Sequence, residues 1–549
     1  MSRLSNGRLG KDLGEVTPED FANDGKPYHM WFRNCECETT VPVDGILSGT
    51  IPDWLSGRLT RNGPGLYTYG ETKYKHLFDG FAYLHQFIIK GGRVTYQSRF
   101  LQSHDHKKNR LSNRIVVTQL GTVAHPDPCK TLLQRFMSLF EIDSTDNCSV
   151  NVVHMGDELY ALTESAVMRR IDPSTLACIG GKTRVNDIVT VNTVTAHPHV
   201  EPNGTVYNMG SSFTNGSGPA YNIIKFPPPQ MQEGRKVSSV EQASIVATIP
   251  CQWKLHPSYY HSFGMTEHYF VFVEMPLVVS IGKLIYNHVA RETILEAFQW
   301  YPEEKTIFRV VDRSTGKLVS TRYTTEAFVI FHHTNAYEKD GHLVIDLAAT
   351  SDGEIITKAM SENGLSKDSP ILGTHRRFIL PLDVESSPVD VNLVTLPGSK
   401  CRATKKANGV VEVEGHEIST QPFELQRINY KYNAREYRFA YGVGISNVNN
   451  THDKLVKMDV ETGQVRIWFE RNKFVSEPIF VSAPGTNEED GGVVLSSLLD
   501  QTDPKLVSLL VLDAQSWTEM GRVDFKAKGT VTPTFHGQFA GDGEEVHMY

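Results

Sequence analysis

A short polar turn between two strand-like stretches recurs along this chain and restricts the folds open to it. The copies read Asp172-Pro-Ser-Thr175, Asp312-Arg-Ser-Thr-Gly316, Asp459-Val-Glu-Thr-Gly463 and, in degenerate form, Asp513-Ala-Gln-Ser516. In such a turn the aspartate accepts hydrogen bonds from backbone N–H groups ahead of it, and the glycine adopts a positive φ. Each copy therefore predicts a hairpin within a repeated sheet unit.

The spacing of these turns favours a β-propeller and leaves a β-sandwich open. The first three copies are 140 and 147 residues apart, and the last two are 54 residues apart. A propeller blade of four strands occupies roughly 40–50 residues, so the shortest separation is close to one blade and the others to two or more.

From Gly45 onward the chain contains many short strand-like stretches with turn signals between them. They are rich in valine and isoleucine and alternate apolar with polar residues, which is the period expected of a strand. They cover residues 114–119, 149–154, 158–163, 269–274, 306–311, 342–347, 377–382, 454–458, 493–497 and 506–512. We therefore predict an all-β protein. Residues 1–25 are polar and rich in glycine, and we expect them to be poorly ordered.

Charge and cysteine usage argue against several classes of protein. The net charge of −8 without a basic run argues against a nucleic-acid surface. Seven scattered cysteines without a Cys-x-x-Cys motif indicate a reducing, cytoplasmic compartment. The N-terminus lacks the apolar segment of a signal peptide. The longest apolar run, 269–285, is interrupted by Glu274, Pro276 and Lys283, so we expect a protein that is soluble or lies on a membrane without crossing it.

Four histidines lie in stretches that are short of charge or rich in aromatic residues: His197, His261, His332 and His536. Neutral imidazole is the commonest protein ligand for zinc, copper, iron and nickel. A histidine beside aromatic residues is, however, more often packed and hydrogen-bonded than metal-bound. These four also lack the short local spacing of a zinc finger. Spacing alone therefore leaves the metal site open.

Three glutamates, Glu164, Glu424 and Glu477, lie in strand-like apolar runs where an unpaired charge is costly. Each is expected to accept the N–H of a ligand histidine, because the second ring nitrogen of a metal-bound imidazole needs a partner. His199 and His333 are neighbours of two of the four histidines. A single strand usually directs one side chain to a given point, so we do not expect these two to be ligands.

Several longer motifs occur together along the chain. They are Arg61-Asn-Gly-Pro-Gly65, Leu77-Phe-Asp-Gly80, Pro126-Asp-Pro-Cys-Lys130 and Glu488-Glu-Asp-Gly-Gly492. With the four histidine segments, they resemble the animal carotenoid cleavage oxygenase family, which includes the β-carotene oxygenases and the retinal pigment epithelium isomerohydrolase. The resemblance extends from about residue 31 to residue 539. Residues 30–38 and 247–257 are most similar to the insect carotenoid isomerooxygenases of that family.

The resemblance implies a fold and a metal. The implied fold is a seven-bladed β-propeller with a cap of helices and loops over the top face that carries the iron site. Residues 26–549 then form a single catalytic domain with cap insertions. Inner strands of different blades bring distant histidines to the central axis. By resemblance, Glu164, Glu424 and Glu477 accept hydrogen bonds from three of the ligands, and Glu164 is also assigned as catalytic. The implied Fe(II) ligands are His197, His261, His332 and His536.

The resemblance also implies a reaction. An Fe(II)-dependent oxygenase with O₂ as co-substrate would cleave a C40 carotenoid, such as β-carotene or zeaxanthin, at the central 15,15′ double bond. The products are two retinals, one of which is isomerised to the 11-cis form. The alternatives are eccentric 9′,10′ cleavage, retinoid isomerohydrolysis without O₂, and a non-catalytic carotenoid-binding propeller. A retinoid-binding protein that accepts the product is a further expected partner.

A water-insoluble substrate implies attachment to a membrane surface. We predict that Cys129 and a set of apolar residues after it face the membrane. The apolar residues recur at helical spacing and are Leu132, Leu133, Phe136, Met137 and Phe140. A packed surface helix is the alternative interpretation of this segment. Residues 277–285 are a second candidate that we expect to be exposed. We therefore expect peripheral, monotopic attachment to an intracellular membrane.

Overall fold

Seven sheets arranged as the blades of a propeller organise this chain. The computed structural model describes residues 9–12, 30–129, 144–213, 218–361, 373–445 and 452–542. In this part of the chain, seven sheets contain four to six strands each, and three further ribbons contain two strands each. The predicted all-β class and the seven-bladed propeller are confirmed.

The first four blades are numbered here along the chain. Blade 1 contains Val43–Asp44, Gly57–Leu66, Phe81–Lys90, Arg93–Phe100 and His536–Gly541. Blade 2 contains Asn151–Met155, Glu158–Leu162, Val167–Ile171 and Thr183–Arg184. Blade 3 contains Thr193–Val194, His199–Val200, Val206–Ser212, Ala220–Phe226 and Ser244–Pro250. Blade 4 contains Gly264–Met265, Tyr269–Glu274, Thr306–Asp312, Tyr323–Thr325, Arg402–Lys405 and Val411–Glu414.

The remaining blades follow the same plan. Blade 5 contains Val329–Lys339, His342–Thr350, Thr374–Pro381 and His416–Ser419. Blade 6 contains Leu9–Asp12, Glu424–Ile428, Phe439–Ile445, His452–Asp459 and Val465–Phe469. Blade 7 contains Ile46–Gly49, Lys473–Val475, Ile479–Ser482, Gly492–Asp500, Leu506–Asp513 and Thr518–Lys526.

Short ribbons and helices lie outside the seven blade sheets. The ribbons pair Thr68–Tyr69 with Thr72–Lys73, Gln230–Gln232 with Arg235–Val237, and Leu277–Val279 with Phe298–Trp300. The α-helices of the described residues are His104–Ser112 and Ile281–Ala290. The 3₁₀ turns are Leu77–Asp79, Val185–Asp187, Val240–Gln242, Ile294–Ala297 and Tyr430–Tyr432, and a π-helical turn covers Ile355–Ala359.

The ring closes because both ends of the chain contribute to the same blade. Strand His536–Gly541 pairs antiparallel with Gly57–Leu66, and His536 lies opposite Asn62 in this register. Gly537 is required at this pairing, since a Cβ atom there would lie 2.6 Å from the carbonyl oxygen of Thr60. Closure therefore fixes the position of His536 relative to the N-terminal strands.

The four predicted hairpin turns are present, each with the aspartate as acceptor. Oδ1 of Asp172 accepts from the backbone N–H of Thr175 at 2.7 Å, and Oδ1 of Asp312 accepts from that of Thr315 at 2.8 Å. The equivalent distances are 3.1 Å in the turn at Asp459 and 2.7 Å in the turn at Asp513. The repeat seen in the sequence is thus a repeat of blade hairpins.

Each blade is buried on both faces because it packs between two neighbours. In blade 7, Leu495 and Leu509 belong to one apolar cluster, whereas their neighbours Val494 and Leu510 belong to another. Alternate side chains of a strand point to opposite faces of its sheet. This double burial explains why strands such as Leu506–Asp513 are almost continuously apolar.

One local prediction is wrong. Residues 114–119 form a loop after helix His104–Ser112, because side chains satisfy their backbone N–H groups: Ile115 N–H donates to Thr72 Oγ1 at 2.9 Å and Val116 N–H to Asn109 Oδ1 at 2.8 Å.

The predicted exposure of residues 277–285 holds for only part of the range. Leu277 and Val278 are buried, since their strand packs as a ribbon against Phe298–Trp300, whereas Ile285 is exposed.

Other expectations fall partly outside the described residues. Within residues 1–25, only 9–12 are described, and they form an edge strand beside Val465–Phe469. Cys129 is exposed. The other predicted membrane-facing residues lie outside the described part of the chain: Leu132, Leu133, Phe136, Met137 and Phe140.

Replacing Asp513 with alanine removes the acceptor of one blade turn and leaves the strands in place. Loss of a hydrogen bond costs about 0.5–1.5 kcal/mol net, so we expect a lower thermal midpoint in scanning calorimetry with unchanged metal content. Asp53→Ala, which removes an exposed carboxylate from a loop, is the control. Identical midpoints for the Asp513→Ala variant and the parent would contradict a stabilising role for this turn.

Candidate metal centre

Four blades each direct one histidine toward a common point. His197 lies in the connection between two short strands of blade 3, and His261 precedes the first strand of blade 4. His332 lies within strand Val329–Lys339 of blade 5, and His536 begins the closing strand of blade 1. Their candidate ligand nitrogens all lie within 4.8 Å of one another. The structure therefore brings together the four predicted ligands.

Carboxylates hold three of these rings by their outer nitrogens. Nδ1 of His261 contacts Oε1 of Glu164. Nδ1 of His332 lies 2.7 Å from Oε2 of Glu424, and Nδ1 of His536 lies 2.8 Å from Oε1 of Glu477. A carboxylate accepts the N–H of such a ring, which places the proton on Nδ1 and leaves the lone pair on Nε2.

The inner nitrogens have the features expected of metal ligands. Nε2 of His332 is buried and has no hydrogen-bond partner. Nε2 of His197 lies 2.9 Å from Nε2 of His261, and the latter carries a lone pair because Glu164 holds its other nitrogen as N–H. A cation between these atoms satisfies all of them at once. Four imidazole donors suit iron, and the residues present fit such a site.

Burial keeps His197 and His536 in the neutral form that binds metal. Burial, and then the neighbouring imidazoles of the cluster, lower the pKa of His197 well below its usual value. Burial also lowers the pKa of His536 to about 3, against the opposing effect of Glu477. Neutral imidazole is the ligand form, so metal binding does not have to displace a ring proton at neutral pH.

Two arginines complete the site, and neither was assigned a role from the sequence. Nε of Arg427 donates to Oε1 of Glu477 at 2.7 Å, and Nη1 of Arg61 lies 3.8 Å from its other oxygen. Burial raises the pKa of Glu477, but Arg427, His536 and Arg61 lower it further, so the net pKa is well below its usual value. Arg61 heads a motif noted in the sequence. The rule that a buried charge needs a partner, applied above to the glutamates, also applies to it.

The remaining predicted residues have distinct positions. His199 donates from Nε2 to the carbonyl oxygen of Phe263 at 2.8 Å, and His333 contacts Ser262 through Nδ1 at 2.9 Å. Neither belongs to the four-histidine cluster. Oε1 of Glu164 accepts from the Tyr259 hydroxyl at 2.9 Å as well as from His261. This contact orients a ligand, and the catalytic assignment of Glu164 stays a prediction.

An apolar cavity reaches His261, His332 and His536 of the cluster. Its walls include Trp31, Phe78, Phe331, Met360, Leu425 and Phe535. Trp31 stacks on Phe535 with ring centroids 5.6 Å apart, and Phe331 lies 5.3 Å from the ring of His261. An apolar ligand in this cavity therefore lies beside the inner nitrogens of the cluster.

Replacing Glu424 or Glu477 with glutamine distinguishes two roles of a buried carboxylate: orienting a histidine of the cluster and pairing with a buried arginine. Each change weakens the acceptor of an imidazole N–H, so we expect metal affinity to fall roughly 10–100-fold in both variants. Only Glu477→Gln also removes the counter-charge of Arg61 and Arg427, so only this variant lowers the thermal midpoint of the metal-free protein. Metal titration and calorimetry of the metal-free variants measure the two effects.

Glu424→Gln is thus the matched control for Glu477→Gln. Equal midpoints of the two metal-free variants would contradict the ion cluster around Glu477. Parental metal affinity in both variants would contradict the role of the carboxylates in orienting the ligands.

Comparison with known proteins agrees with this geometry. Residues 32–541 match the family model described as retinal pigment epithelial membrane protein (RPE65). The chain is 37% identical to the carotenoid isomerooxygenase of Drosophila melanogaster, over 93% of this chain and 92% of that protein. It is 38% identical to the β,β-carotene 15,15′-dioxygenase of Gallus gallus, over 92% and 97%. It is 39% identical to the mitochondrial carotenoid-cleaving dioxygenase of Mustela putorius furo, over 91% and 94%.

Solved structures share the architecture. Cobalt-substituted ACO of Synechocystis superposes with a TM-score of 0.73 at 22% identity, covering 96% of this chain and 99% of that one. At this identity the likeness concerns the fold alone. The family assignment rests on the family model and on relatives aligned over about nine-tenths of the chain. By these matches, the chain belongs to the RPE65 family of carotenoid oxygenases.

Proposed function

We propose that this protein is a non-haem iron dioxygenase that cleaves a C40 carotenoid at the central 15,15′ double bond and isomerises one of the two retinals to the 11-cis form. The observation that carries the proposal is a cluster of four imidazoles that lies beside an apolar cavity. The isomerooxygenase and 15,15′-dioxygenase relatives support the same reaction.

The apolar cavity suits a conjugated hydrocarbon such as β-carotene or zeaxanthin. Burying apolar surface drives binding in proportion to the area removed from water. The aromatic walls, including Trp31, Phe331 and Phe535, present flat apolar faces to a planar polyene. Aligned along these walls, a carotenoid presents a double bond to the four-histidine centre.

The reaction balances with O₂ as the second substrate. One C=C bond and one O=O bond break, and two C=O bonds form, one on each product. His197, His261, His332 and His536 would hold ferrous iron, which when bound would supply the activation of O₂. Glu164, Glu424 and Glu477 hold the ligand rings in place, and the apolar walls exclude water from the reacting alkene.

Incubation of the purified protein with β-carotene, in air and under nitrogen, tests the reaction. We expect two retinals per carotenoid in air, one of them 11-cis, with no cleavage under nitrogen. His261→Ala and His536→Ala should lose iron and activity while keeping the far-UV circular dichroism of the parent. Products of unequal chain length would indicate eccentric cleavage. Retinoid isomerisation without O₂ would indicate isomerohydrolysis, and carotenoid binding without turnover a non-catalytic propeller.

We also infer that the protein attaches peripherally to an intracellular membrane, from which a carotenoid can enter. None of the described helices has the length and apolarity to span a bilayer. Helix Ile281–Ala290 exposes Ile285, Tyr286 and Val289, and the adjacent Leu255 is also exposed. Exposed basic residues flank these side chains at Lys254, Lys283 and Arg291. This combination suits a surface of anionic lipid. A retinoid-binding protein that accepts the product remains a prediction.

Changing Ile285 and Val289 together to serine tests the membrane surface. Burial of such side chains is worth roughly 1.5–3 kcal/mol each when complete, so we expect at least a tenfold weaker association with anionic liposomes at unchanged iron content. Met231→Ser, which removes an exposed apolar side chain from the ribbon Gln230–Gln232, should sediment with liposomes like the parent. Parental binding by the folded double variant would contradict this attachment surface.

A further inference from the structure

A second cavity reaches His197, His332 and His536 of the cluster, and most of its described lining residues carry polar side chains. The charged side chains among its described lining residues are Arg427 and Glu477, which pair with each other. The cavity also extends to residues that are partly exposed, such as Tyr430 and Asn433.

The hydrogen bonds of His333 determine its tautomer. The hydroxyl of Ser262 donates to the carbonyl oxygen of Phe331 at 2.7 Å. The same hydroxyl oxygen lies 2.9 Å from Nδ1 of His333, so it must accept there, and Nδ1 carries the proton. Nε2 therefore carries a lone pair, and this buried atom has no hydrogen-bond partner.

His199 and Gln426 present further lone pairs to this cavity. Nε2–H of His199 donates to the carbonyl oxygen of Phe263, which leaves a lone pair on Nδ1, beside the side chain of Asn433. The amide nitrogen of Gln426 donates to Phe423 at 2.9 Å, and its buried Oε1 has no hydrogen-bond partner. Three residues lining one cavity thus each carry an acceptor, and those of His333 and Gln426 have no donor.

We propose that this polar cavity is the route by which the divalent metal ion reaches the four-histidine centre, with His199 and His333 as transient ligands along it. Acceptors without donors match a cation and the water that it carries. The charge of Arg427 is already paired with Glu477, so it opposes a cation less than a free arginine. The apolar cavity is a poor alternative route, because an ion there loses its hydration without replacement ligands.

His199 and His333 do not belong to the four-histidine cluster. We therefore expect their replacement to change the rates of metal exchange without changing the metal affinity. Removing a transient ligand slows the entry and the exit of the metal ion by the same factor, so the affinity for the metal is unchanged. A role in supporting the bound metal would instead weaken the affinity. The proposal rests on the metal site and not on the reaction, so a failure of carotenoid cleavage would not affect it.

The test is Co²⁺ exchange in the double variant His199→Phe/His333→Phe, followed by the visible absorption of bound Co²⁺. We expect uptake by the chelator-stripped protein and release to excess EDTA each to slow at least tenfold, with parental stoichiometry and affinity. His85→Phe is the matched control, because His85 is also buried with an unpartnered ring nitrogen but lines neither cavity. Its exchange rates should equal those of the parent.

Parental rates in the double variant, or faster release with weaker affinity, would overturn the proposal. If the double variant does not fold, Gln426→Leu removes one of the three acceptors and should slow both rates without changing the affinity. In the parent, uptake measured with β-carotene in the apolar cavity should proceed at the rate of the free protein. Uptake that stops when the apolar cavity is filled would place the route there and refute this one.

Discussion

The buried carboxylate of Glu477 contacts both the strand that closes the propeller and a histidine of the candidate metal centre. Glu477 lies between two strands of blade 7, and its oxygens contact Arg427 of blade 6 and the backbone N–H of Gly537 in blade 1. A buried charge is tolerated only when its partners are in place. The same carboxylate holds the ring of His536. The blades that close the ring therefore also orient one of the metal ligands.

The surroundings of the four histidines separate two kinds of chemistry. Aromatic and aliphatic side chains such as Trp31 and Phe331 line one cavity, where a polyene loses contact with water. Polar side chains such as Gln426 and Asn433 line the other, which suits ions and water. The apolar side excludes water from a hydrocarbon substrate, and the polar side is the route proposed above for the metal ion. A propeller provides them because side chains from several blades meet near its axis.

Much of the fold could be predicted from local patterns. The turns at Asp172 and Asp513 were recognisable because a carboxylate that accepts nearby N–H groups needs only three or four consecutive residues. Strands such as Leu506–Asp513 were recognisable from their composition. The loop 114–119 was mistaken for a strand because its valines and isoleucine fit the strand pattern. Its backbone is instead satisfied by Thr72 and by Asn109, on a neighbouring helix.

The sequence by itself determined the class of fold and the hairpin repeat and, through its motifs, singled out the four histidines that the structure brings together and the three glutamates. Only the tertiary structure decided which glutamate holds which histidine, which ring nitrogen faces inward, and that Arg61 pairs with a residue 416 positions away. It also decided that His199 and His333 line a separate cavity. The physical reason is the separation along the sequence of the residues that interact. Turns and strands follow from neighbouring residues, whereas the pairing of buried charges and lone pairs depends on atoms brought together from different blades.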